Sequence, residues 1–478
     1  MKTFSLLFLA SCLFLLAGCL PEQRFWWSPK GDRALVLLDD GLHLASADGK
    51  LGGAMDGFGK AGSVSWLSDG SGFVCSRTRV FQRWNEVRSL LPGSEVAEIE
   101  ERIPLMPTLL EAAARQPDKL EILGKMTRGL EKGTLMRSVA AMRIAHERDR
   151  VEMEKLLGTL PDGDKMVKAL QSEGFEVVEL CLVKLDGSKP ETRVLLTSMI
   201  LEPTQARVSP KHPLVAYLTA DEDGETFSLK VMPLAGGASR HVDQHLTYAY
   251  DWRADGESLI FIERHDNNHP GTIRARRLAD TTGELLDPEK DRLPDGSMAQ
   301  TSTRYVATVA DGGMGFLRSL PDGRVLLKST PFSLPAVGAE SGENARLYII
   351  SADLKKLQEV PCPQGALPSD IDSFSVSPDG RRVALVQSNS AAVSVVEIDS
   401  GKVQIISPAH PQWSGQKTPA WKSNTELTFV APHGTAQTPQ WMQWNIHGET
   451  RCLSQMWPEG STKEWLSKEK ESEAPGPR

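Results

Sequence analysis

The chain has 478 residues, 40% of them hydrophobic and 24% charged, and its 40 Gly and 30 Pro give a turn-rich bias. This composition is typical of folded globular domains and excludes wholesale disorder and collagen-like structure. The net charge of −8 argues against the basic surface that nucleic-acid binding requires, so we predict no nucleic-acid partner.

Residues 1–18 have the pattern of a secretory signal peptide. Lys2 gives a basic start, and an apolar run follows over residues 4–16. A run of this length is too short to span a bilayer as a helix, which takes about 20 residues. It fits the apolar region of a signal peptide that is removed from the mature protein.

Cys19 follows Leu16-Ala17-Gly18 directly, and this junction resembles the lipobox of bacterial lipoproteins. The resemblance implies cleavage before Cys19, lipidation of Cys19 and attachment to the membrane through the acyl chains. Leu20 is not the acidic residue that retains enteric lipoproteins in the inner membrane, which favours the outer membrane where the organism has one. The alternative is an ordinary signal peptide with a coincidental cysteine.

One short motif occurs seven times along the rest of the chain. Each copy reads as a strand, a tight turn and a second strand, and Ser377-Pro378-Asp379-Gly380 is the clearest turn. Pro, Asp and Gly each favour such a turn. The last turn positions of the seven copies are Gly31, Gly70, His212, Gly256, Gly323, Gly380 and Thr425. All intervals but one lie near or above the roughly 40–50 residues of a four-stranded propeller blade.

The repeat resembles the WSPDG-type motif of TolB-like β-propellers, which are related to WD-type repeats. We therefore predict an all-β protein, a β-propeller of seven four-stranded blades with an α-helical insertion in blade two. The predicted segments are a signal peptide (1–18), the first propeller part (19–81), the insertion (82–175), the remaining propeller (176–460) and a mobile tail (461–478).

The predicted insertion is rich in Leu, Met, Ala, Glu, Lys and Arg, which are strong helix formers. In its longest helix, residues at 4-3 spacing predict a core-facing stripe. These residues are Leu135, Val139, Met142, His146, Asp149, Met153, Leu156 and Leu160. The insertion is either a cap packed on the propeller or a lid that binds a partner; a disordered segment is the third alternative.

The six cysteines show no C-x-x-C spacing that would indicate a zinc or redox site. Cys75 and Cys181 flank the insertion on strands that we expect to be adjacent. Adjacent strands would bring them within disulfide range of each other. They either form a disulfide or remain buried free thiols, and we favour the free thiols.

We find no hydrolase nucleophile elbow, P-loop, zinc-protease or dinucleotide-binding motif, and we predict no cofactor, no metal and no catalytic residue. His241 with His245, and His265 with His269, have a metal-compatible spacing, but we expect loop histidines. Asp221 begins a turn that imitates a calcium loop without its final Glu. Trp441, Trp444, Trp457 and Trp465 either pack between blades or form an aromatic patch for a sugar or peptide.

Two functions of different class follow. The first is a monomeric, non-enzymatic envelope scaffold, because the resemblance implies binding of peptides or envelope proteins at the channel mouth. The second is a glycan-binding or glycan-cleaving propeller, since oligogalacturonate lyases share this type of repeat. Several His or Asp residues converging on the channel would favour the lyase, and an apolar or Arg-rich rim would favour the scaffold.

Overall fold

All described strands belong to antiparallel sheets in which strands follow one another in chain order. A computed structural model describes residues 23–59, 61–115, 132–160, 163–172, 174–185, 190–221, 226–264, 271–278, 304–309, 316–329, 346–363, 365–367, 371–387, 392–408, 418–433 and 438–457. The signal peptide, Cys19, Trp465 and the tail 461–478 lie outside the described residues, as do His265 and His269.

Five of the six described sheets have four strands each. The first contains β1 (Phe25–Trp27), β2 (Arg33–Leu38), β3 (Gly41–Ser46) and β4 (Leu51–Ala54). The second contains β5 (Ala61–Trp66), β6 (Gly72–Phe81), β7 (Phe175–Lys184) and β8 (Glu191–Ser198).

The third sheet has seven strands: β9 (Leu201–Val208), β10 (Leu214–Ala220), β11 (Phe227–Pro233), β12 (Arg240–Trp252), β13 (Ser258–Glu263), β14 (Gly271–Arg277) and β15 (Arg304–Val309). Strand β12 pairs with β11 through its first half and with β13 through its second half. This shared strand joins the third and fourth repeats, so the prediction of seven separate four-stranded blades is not confirmed.

The last three sheets contain one motif each. They are β16 (Phe316–Ser319), β17 (Val325–Ser329), β18 (Arg346–Ile350) and β19 (Leu357–Glu359); β20 (Ile371–Val376), β21 (Arg382–Gln387), β22 (Val393–Glu397) and β23 (Val403–Ser407); and β24 (Ala420–Trp421), β25 (Glu426–His433), β26 (Thr438–Asn445) and β27 (Thr450–Cys452). A short 3-10 helix, Ser454–Met456, follows. The described fold is an all-β propeller, as the repeats predict.

A tight turn closed by a backbone hydrogen bond follows the first strand of all seven repeats. A backbone N–H just before the turn donates to a carbonyl just after it, with N···O distances of 2.8–2.9 Å. The donor and acceptor residues are Ser28–Arg33, Leu67–Gly72, Ser209–Leu214, Arg253–Ser258, Leu320–Arg324, Ser377–Arg382 and Lys422–Glu426. The segment closed by this bond is one residue shorter in the fifth and seventh copies than in the other five. The five copies that end in Gly share a second bond, from the Gly N–H to the carbonyl three residues earlier, which the described structure does not show in the third and seventh copies.

Gly380 shows why the last turn position favours glycine. Its φ is +71°, a region that residues with a Cβ rarely adopt. An added Cβ would also lie 2.7 Å from Cδ of Pro321 in the preceding repeat. The turns of neighbouring sheets thus pack against each other with no room for a methyl group at this position.

We expect Gly380→Ala to lower the free energy of unfolding by about 2–3 kcal/mol, because backbone strain and the contact with Pro321 add together. The matched control is Gly448→Ala, where φ is +90° and nothing lies within 4 Å of the added Cβ. There strain acts alone, and we expect a loss of about 1 kcal/mol. Urea denaturation measures both, and equal losses would contradict the packing argument.

Arginines at the turns connect neighbouring sheets. Arg33 Nη2 donates to the carbonyl of Gly70 at 2.5 Å, and Arg382 Nη1 donates to that of Asn424 at 3.0 Å. Arg253 Nη2 reaches the carbonyl of Gly323 at 3.3 Å. Each bond joins one repeat to the turn of the next, so the guanidinium groups hold adjacent sheets in a fixed arrangement.

Side chains close the ring between the last sheet and the first. Trp457 Nε1 donates to the carbonyl of Gly49 at 2.8 Å, and Trp27 Nε1 donates to Thr428 Oγ1 at 2.9 Å. Trp441 is fully buried in the same cluster, with its ring centroid 5.1 Å from that of Phe25. Among the described strands, none passes from one of these two sheets into the other. The junction depends on these aromatic contacts.

The structure describes six α-helices between β6 and β7, two strands that pair with each other in the second sheet. They are α1 (Trp84–Arg88), α2 (Gly93–Arg102), α3 (Met106–Arg115), α4 (Lys132–Arg148), α5 (Arg150–Leu157) and α6 (Gly163–Ser172). A 3-10 turn, Ile103–Leu105, connects α2 to α3. The helices share a core that includes Trp84, Ile99 and Leu157 and continues to Phe175 on β7.

The predicted helical stripe is wrong at Val139, whereas Met142 packs against the core and His146 is buried as the stripe predicts. Helix α4 buries Ala140, Ala141, Ile144 and Ala145, whereas Val139 is exposed. Small alanine side chains allow close helix packing and therefore occupy the core face. The stripe also does not continue through one helix, because Asp149 caps α5 by accepting a hydrogen bond from the backbone N–H of Glu152 at 3.1 Å.

Candidate functional site at the propeller axis

The first strands of neighbouring repeats contact one another. Tryptophans set several of these contacts through their indole N–H groups. Trp66 donates to the carbonyl of Trp26 at 3.0 Å, Trp252 to that of Arg207 at 2.9 Å, and Trp421 to that of Ser375 at 3.0 Å. The motif Trp thus holds its strand against the preceding repeat, a role that the sequence did not indicate.

Three charged residues occupy one equivalent position on successive first strands. Each lies five residues before the last turn position of its repeat: Arg207 on β9, Asp251 on β12 and Arg318 on β16. We call these three residues the axial cluster. The equivalent residues elsewhere are Trp26, Ser65, Ser375 and Ala420. Sequence reasoning missed the cluster, although a comparison of the repeats at this fixed offset would have found it.

Asp251 is the carboxylate between the two arginines. Its Oδ1 lies 3.8 Å from Arg207 Nη1, and its Oδ2 accepts a hydrogen bond from the backbone N–H of Ser319 at 2.9 Å. Arg318 precedes Ser319 directly and lies over the ring of Phe374, with its Cζ 5.9 Å from the centroid. Asp251 pairs with Arg207, and its charge also acts on Arg318, so one carboxylate stands beside two guanidinium groups and the cluster has an excess positive charge.

Burial makes this excess charge unfavourable. Burial, followed by the neighbouring Arg207 charge, lowers the pKa of Arg318 to about 9, although Asp251 and Tyr250 oppose the shift. Burial also raises the pKa of Tyr250 well above its usual value. The Tyr250 hydroxyl donates to the carbonyls of Gln205 at 2.9 Å and Ala216 at 3.0 Å, so this ring is a neutral support.

Several buried polar atoms of the first strands have no hydrogen-bond partner in the described structure. They include Arg207 Nε, Ser319 Oγ and Ser375 Oγ. Buried donors are normally paired, and an unmade bond costs about 1–3 kcal/mol. The axial cluster therefore combines an excess positive charge with unused donors, a combination that suits an anion.

The described residues contain no group of three or more His, Cys, Asp or Glu arranged to hold a metal ion. His241 lies opposite Lys230 on β11, and burial followed by the nearby Lys230 charge lowers the His241 pKa. The backbone N–H of His245 donates to Asp221 Oδ2 at 2.8 Å. Asp221 also accepts from Thr226 Oγ1 at 3.1 Å, as in a hairpin turn.

The tryptophans near the C-terminus are packing residues where the structure describes them. Trp441, Trp444 and Trp457 are at most 7% exposed and belong to cores at the edges of the last sheet. These three side chains therefore do not form an exposed aromatic patch. His146 is also buried, with Nε2 3.2 Å from Glu154 Oε1, and has the partner expected of a core histidine.

Cys75 and Cys181 are direct partners across β6 and β7 and are unbonded in this structure. Both side chains are fully buried. Burial raises the pKa of Cys181 to about 11 and that of Cys75 well above its usual value. A protonated thiol is a poor nucleophile, so neither cysteine has the environment of a reactive residue.

We expect Cys75 and Cys181 to resist maleimide labelling in the folded protein and to react fully in denaturant, because only unfolding exposes them and allows ionisation. The labelling is measured by mass spectrometry in a Cys362→Ser/Cys452→Ser variant. This variant lacks the two half-buried cysteines, so the label reports on Cys75 and Cys181. An unlabelled pair in denaturant without reductant would contradict the free-thiol state and indicate a disulfide.

Glu95 attaches helix α2 to the propeller. Its carboxylate accepts from Ser198 Oγ and from the backbone N–H of Met199, both at 2.8 Å, and the residue is 4% exposed. Burial raises the pKa of Glu95 from 4.5, although the two hydrogen bonds and nearby Arg137 partly offset this effect. The helices are thus fixed to the end of β8 by a buried acid.

The raised pKa of Glu95 predicts a pH dependence. A folded-state pKa above the unfolded value means that the folded protein takes up the proton more readily. The contribution to stability is therefore full below about 4.5, the unfolded value, and is lost as the pH rises through the folded-state pKa. We expect the free energy of unfolding of the wild type, relative to Glu95→Gln, to fall as pH rises through this window. A flat difference between pH 4 and 7 would contradict this assignment.

A shallow groove of about 550 Å³ lies between α1 and α2. It is lined by Asn85, Arg88, Ser89, Leu91, Gly93, Val96, Ala97 and Glu100. Arg88 Nε and Glu100 Oε1 pair at 2.9 Å on exposed positions. Leu105 and Leu109 nearby in the chain are 53% and 38% exposed, so the helices present a mixed polar and apolar surface.

No described helix is long and apolar enough to cross a membrane. Comparison with protein families and with curated proteins finds no match. Among solved structures, TolB from Acinetobacter baumannii is similar with a TM-score of 0.37 and 15% identity, over 57% of this chain and 59% of that chain. The match therefore spans less than two thirds of that protein.

Hydrazine synthase from Kuenenia stuttgartiensis is similar with a TM-score of 0.47 and 10% identity, over 90% of this chain and 97% of that chain. An oligogalacturonate lyase in complex with manganese has a TM-score of 0.38 and 13% identity, over 57% and 70% of the two chains. At these identities the likeness concerns the fold alone. TolB proteins are among the structural neighbours, as the sequence predicted, and enzymes are among them too.

Proposed function

We propose that this protein is a lipid-anchored protein of the cell envelope whose propeller is a non-enzymatic scaffold for protein or peptide partners. The axial cluster carries this proposal, because two arginines and one aspartate on the first strands of successive repeats form a binding surface for acidic groups. A lyase-type site would require several His or Asp residues converging there. The glycan-binding alternative has no comparable observation in its favour.

The cellular location and the domain organisation belong to the same proposal. Residues 1–18 are the signal peptide, Cys19 carries the lipid, and the outer membrane is the destination in a diderm organism. Two or three acyl chains hold a protein firmly on a membrane, since each buried CH₂ contributes about 0.8 kcal/mol. A Cys19→Ser variant should move from the membrane fraction to the soluble fraction. Its retention in the membrane fraction would contradict lipid anchoring.

We also propose that the propeller counts seven blades. The seven copies of the closed turn support this count, and β12 would serve as the outermost strand of blade three and the innermost strand of blade four. The helices between β6 and β7 form an inserted subdomain of blade two, residues 82–175. Glu95 and the shared core around Phe175 support a subdomain that packs on the propeller. The protein acts as a monomer.

In-cell crosslinking of the full-length lipidated protein, followed by affinity capture, tests the scaffold function. We expect specific envelope proteins to be captured. A Leu105→Asp/Leu109→Asp variant changes two exposed helical positions and tests whether the subdomain contributes. Ile405→Asp is the matched control, because this residue is 68% exposed on the outer strand β23. Absence of any specific partner would contradict the scaffold function.

A further inference from the structure

We propose that the axial cluster binds a carboxylate group of a partner peptide, with Arg207, Arg318 and Ser319 as donors. This inference rests on the proposed scaffold function and names the chemistry that the scaffold recognises. The first argument is charge. Asp251 Oδ1 lies 3.8 Å from Arg207 Nη1 and its charge also acts on Arg318, so one negative charge balances two positive charges in a half-buried setting. A bound monoanion would neutralise the excess.

The second argument is the set of unused donors. Arg207 Nε and Ser319 Oγ are buried and have no hydrogen-bond partner in the described structure. Ser319 is fixed by the bond from its backbone N–H to Asp251, and its neighbour Arg318 lies over Phe374. These contacts hold the donors in place before any ligand arrives. A carboxylate accepts several hydrogen bonds at once and forms strong charge-assisted bonds with guanidinium groups.

The third argument separates a carboxylate from other ligands. A metal cation would be repelled by the two guanidinium groups. A dianionic phosphate would exceed the single excess charge and would lie close to the Asp251 carboxylate, which repels it. A single carboxylate carries the one negative charge that the cluster lacks. A peptide C-terminus meets these requirements, and so does a free small carboxylic acid.

Calorimetric titration of the full-length protein at low ionic strength distinguishes these sources. The probes are N-acetyl-Ala-Ala-Phe as the free acid, the same peptide as its C-terminal amide, and sodium acetate. We expect the free acid to bind about tenfold or more tightly than the amide, since the amide removes the charge-assisted bonds. Equal binding of acid and amide would overturn the proposal.

Variants assign the binding to the cluster. Arg318→Met and Arg207→Met each remove one guanidinium and retain much of the side-chain length, and each should weaken binding of the free acid by about tenfold or more. Arg346→Met is the matched control, because Arg346 is exposed and pairs with Glu359 on the surface. Circular dichroism checks that each variant is folded. If one of the two variants does not fold, the other still tests whether the cluster binds the free acid. Unchanged affinity in a folded variant would overturn the proposal.

The outcomes also separate this inference from the scaffold function. If acetate binds as tightly as the peptide acid, and both depend on Arg318, the carboxylate site is supported but its ligand is a small free anion. The proposed peptide scaffold then fails at this site. If envelope partners are captured in cells while acid and amide bind equally, the carboxylate inference fails and the scaffold function stands.

Discussion

Trp441→Ala is expected to lower the free energy of unfolding by about 3–5 kcal/mol, the range found for truncation of large buried aromatic residues. Trp441 is fully buried at the junction between the first and last sheets, where it packs against Phe25. Side-chain packing holds this junction together, because no described strand crosses it. The cavity would therefore weaken ring closure itself. Chemical denaturation followed by tryptophan fluorescence measures the loss.

Ile405→Ala is the control for Trp441→Ala, because Ile405 is an apolar residue that is 68% exposed on an outer strand. We expect a change within about 0.5 kcal/mol there. Trp441→Phe should fall between the two, since it retains part of the buried area. A loss from Trp441→Ala as small as that of the control would contradict the importance of this junction.

Asp251→Ala is expected to lower the free energy of unfolding by about 2–3 kcal/mol, because it leaves half-buried partner charges uncompensated and a backbone N–H without its acceptor. The substitution removes the carboxylate that pairs with Arg207 and acts on Arg318, and also the acceptor for the backbone N–H of Ser319. Two like charges would then be left together in a half-buried setting. Urea denaturation at neutral pH measures this loss.

Asp399→Ala is the control for Asp251→Ala. The Asp399 carboxylate pairs with Arg324 at 2.6 Å but is 68% exposed, and such surface pairs contribute at most about 1 kcal/mol. The double variant Asp251→Ala/Arg318→Met should be more stable than Asp251→Ala alone, because it removes the repulsion between arginines. If the second substitution adds a further loss instead, charge imbalance is not the cause.

The repeats made the fold predictable. Each turn combines residues that favour a tight turn. Seven copies of the motif form a pattern that can be recognised in the sequence, whereas a single copy could not be recognised. The joined sheet was not predictable in this way. Residues 240–252 form one continuous strand, and the change of partner from β11 to β13 along it is a matter of tertiary pairing. Turn motifs carry no information on that pairing.

The axial cluster was missed for a different reason. Arg207, Asp251 and Arg318 are far apart in the sequence and belong to no known site motif. Only the stacking of repeats around the axis brings their side chains together. The error in helix α4 is local, because 4-3 spacing of the largest apolar residues pointed to Val139, whereas Ala140 and Ala141 form the packed face. Residue size alone does not identify the core side of a helix.

The most direct test of the scaffold account is in-cell crosslinking of the full-length lipidated protein beside its Arg207→Met/Arg318→Met variant. We predict that the variant reaches the membrane at the wild-type level but captures envelope partners about tenfold less, since charge-assisted bonds to the partner are lost. Arg346→Met should capture them as the wild type does. Equal capture by the wild type and the double variant would contradict recognition at the propeller axis.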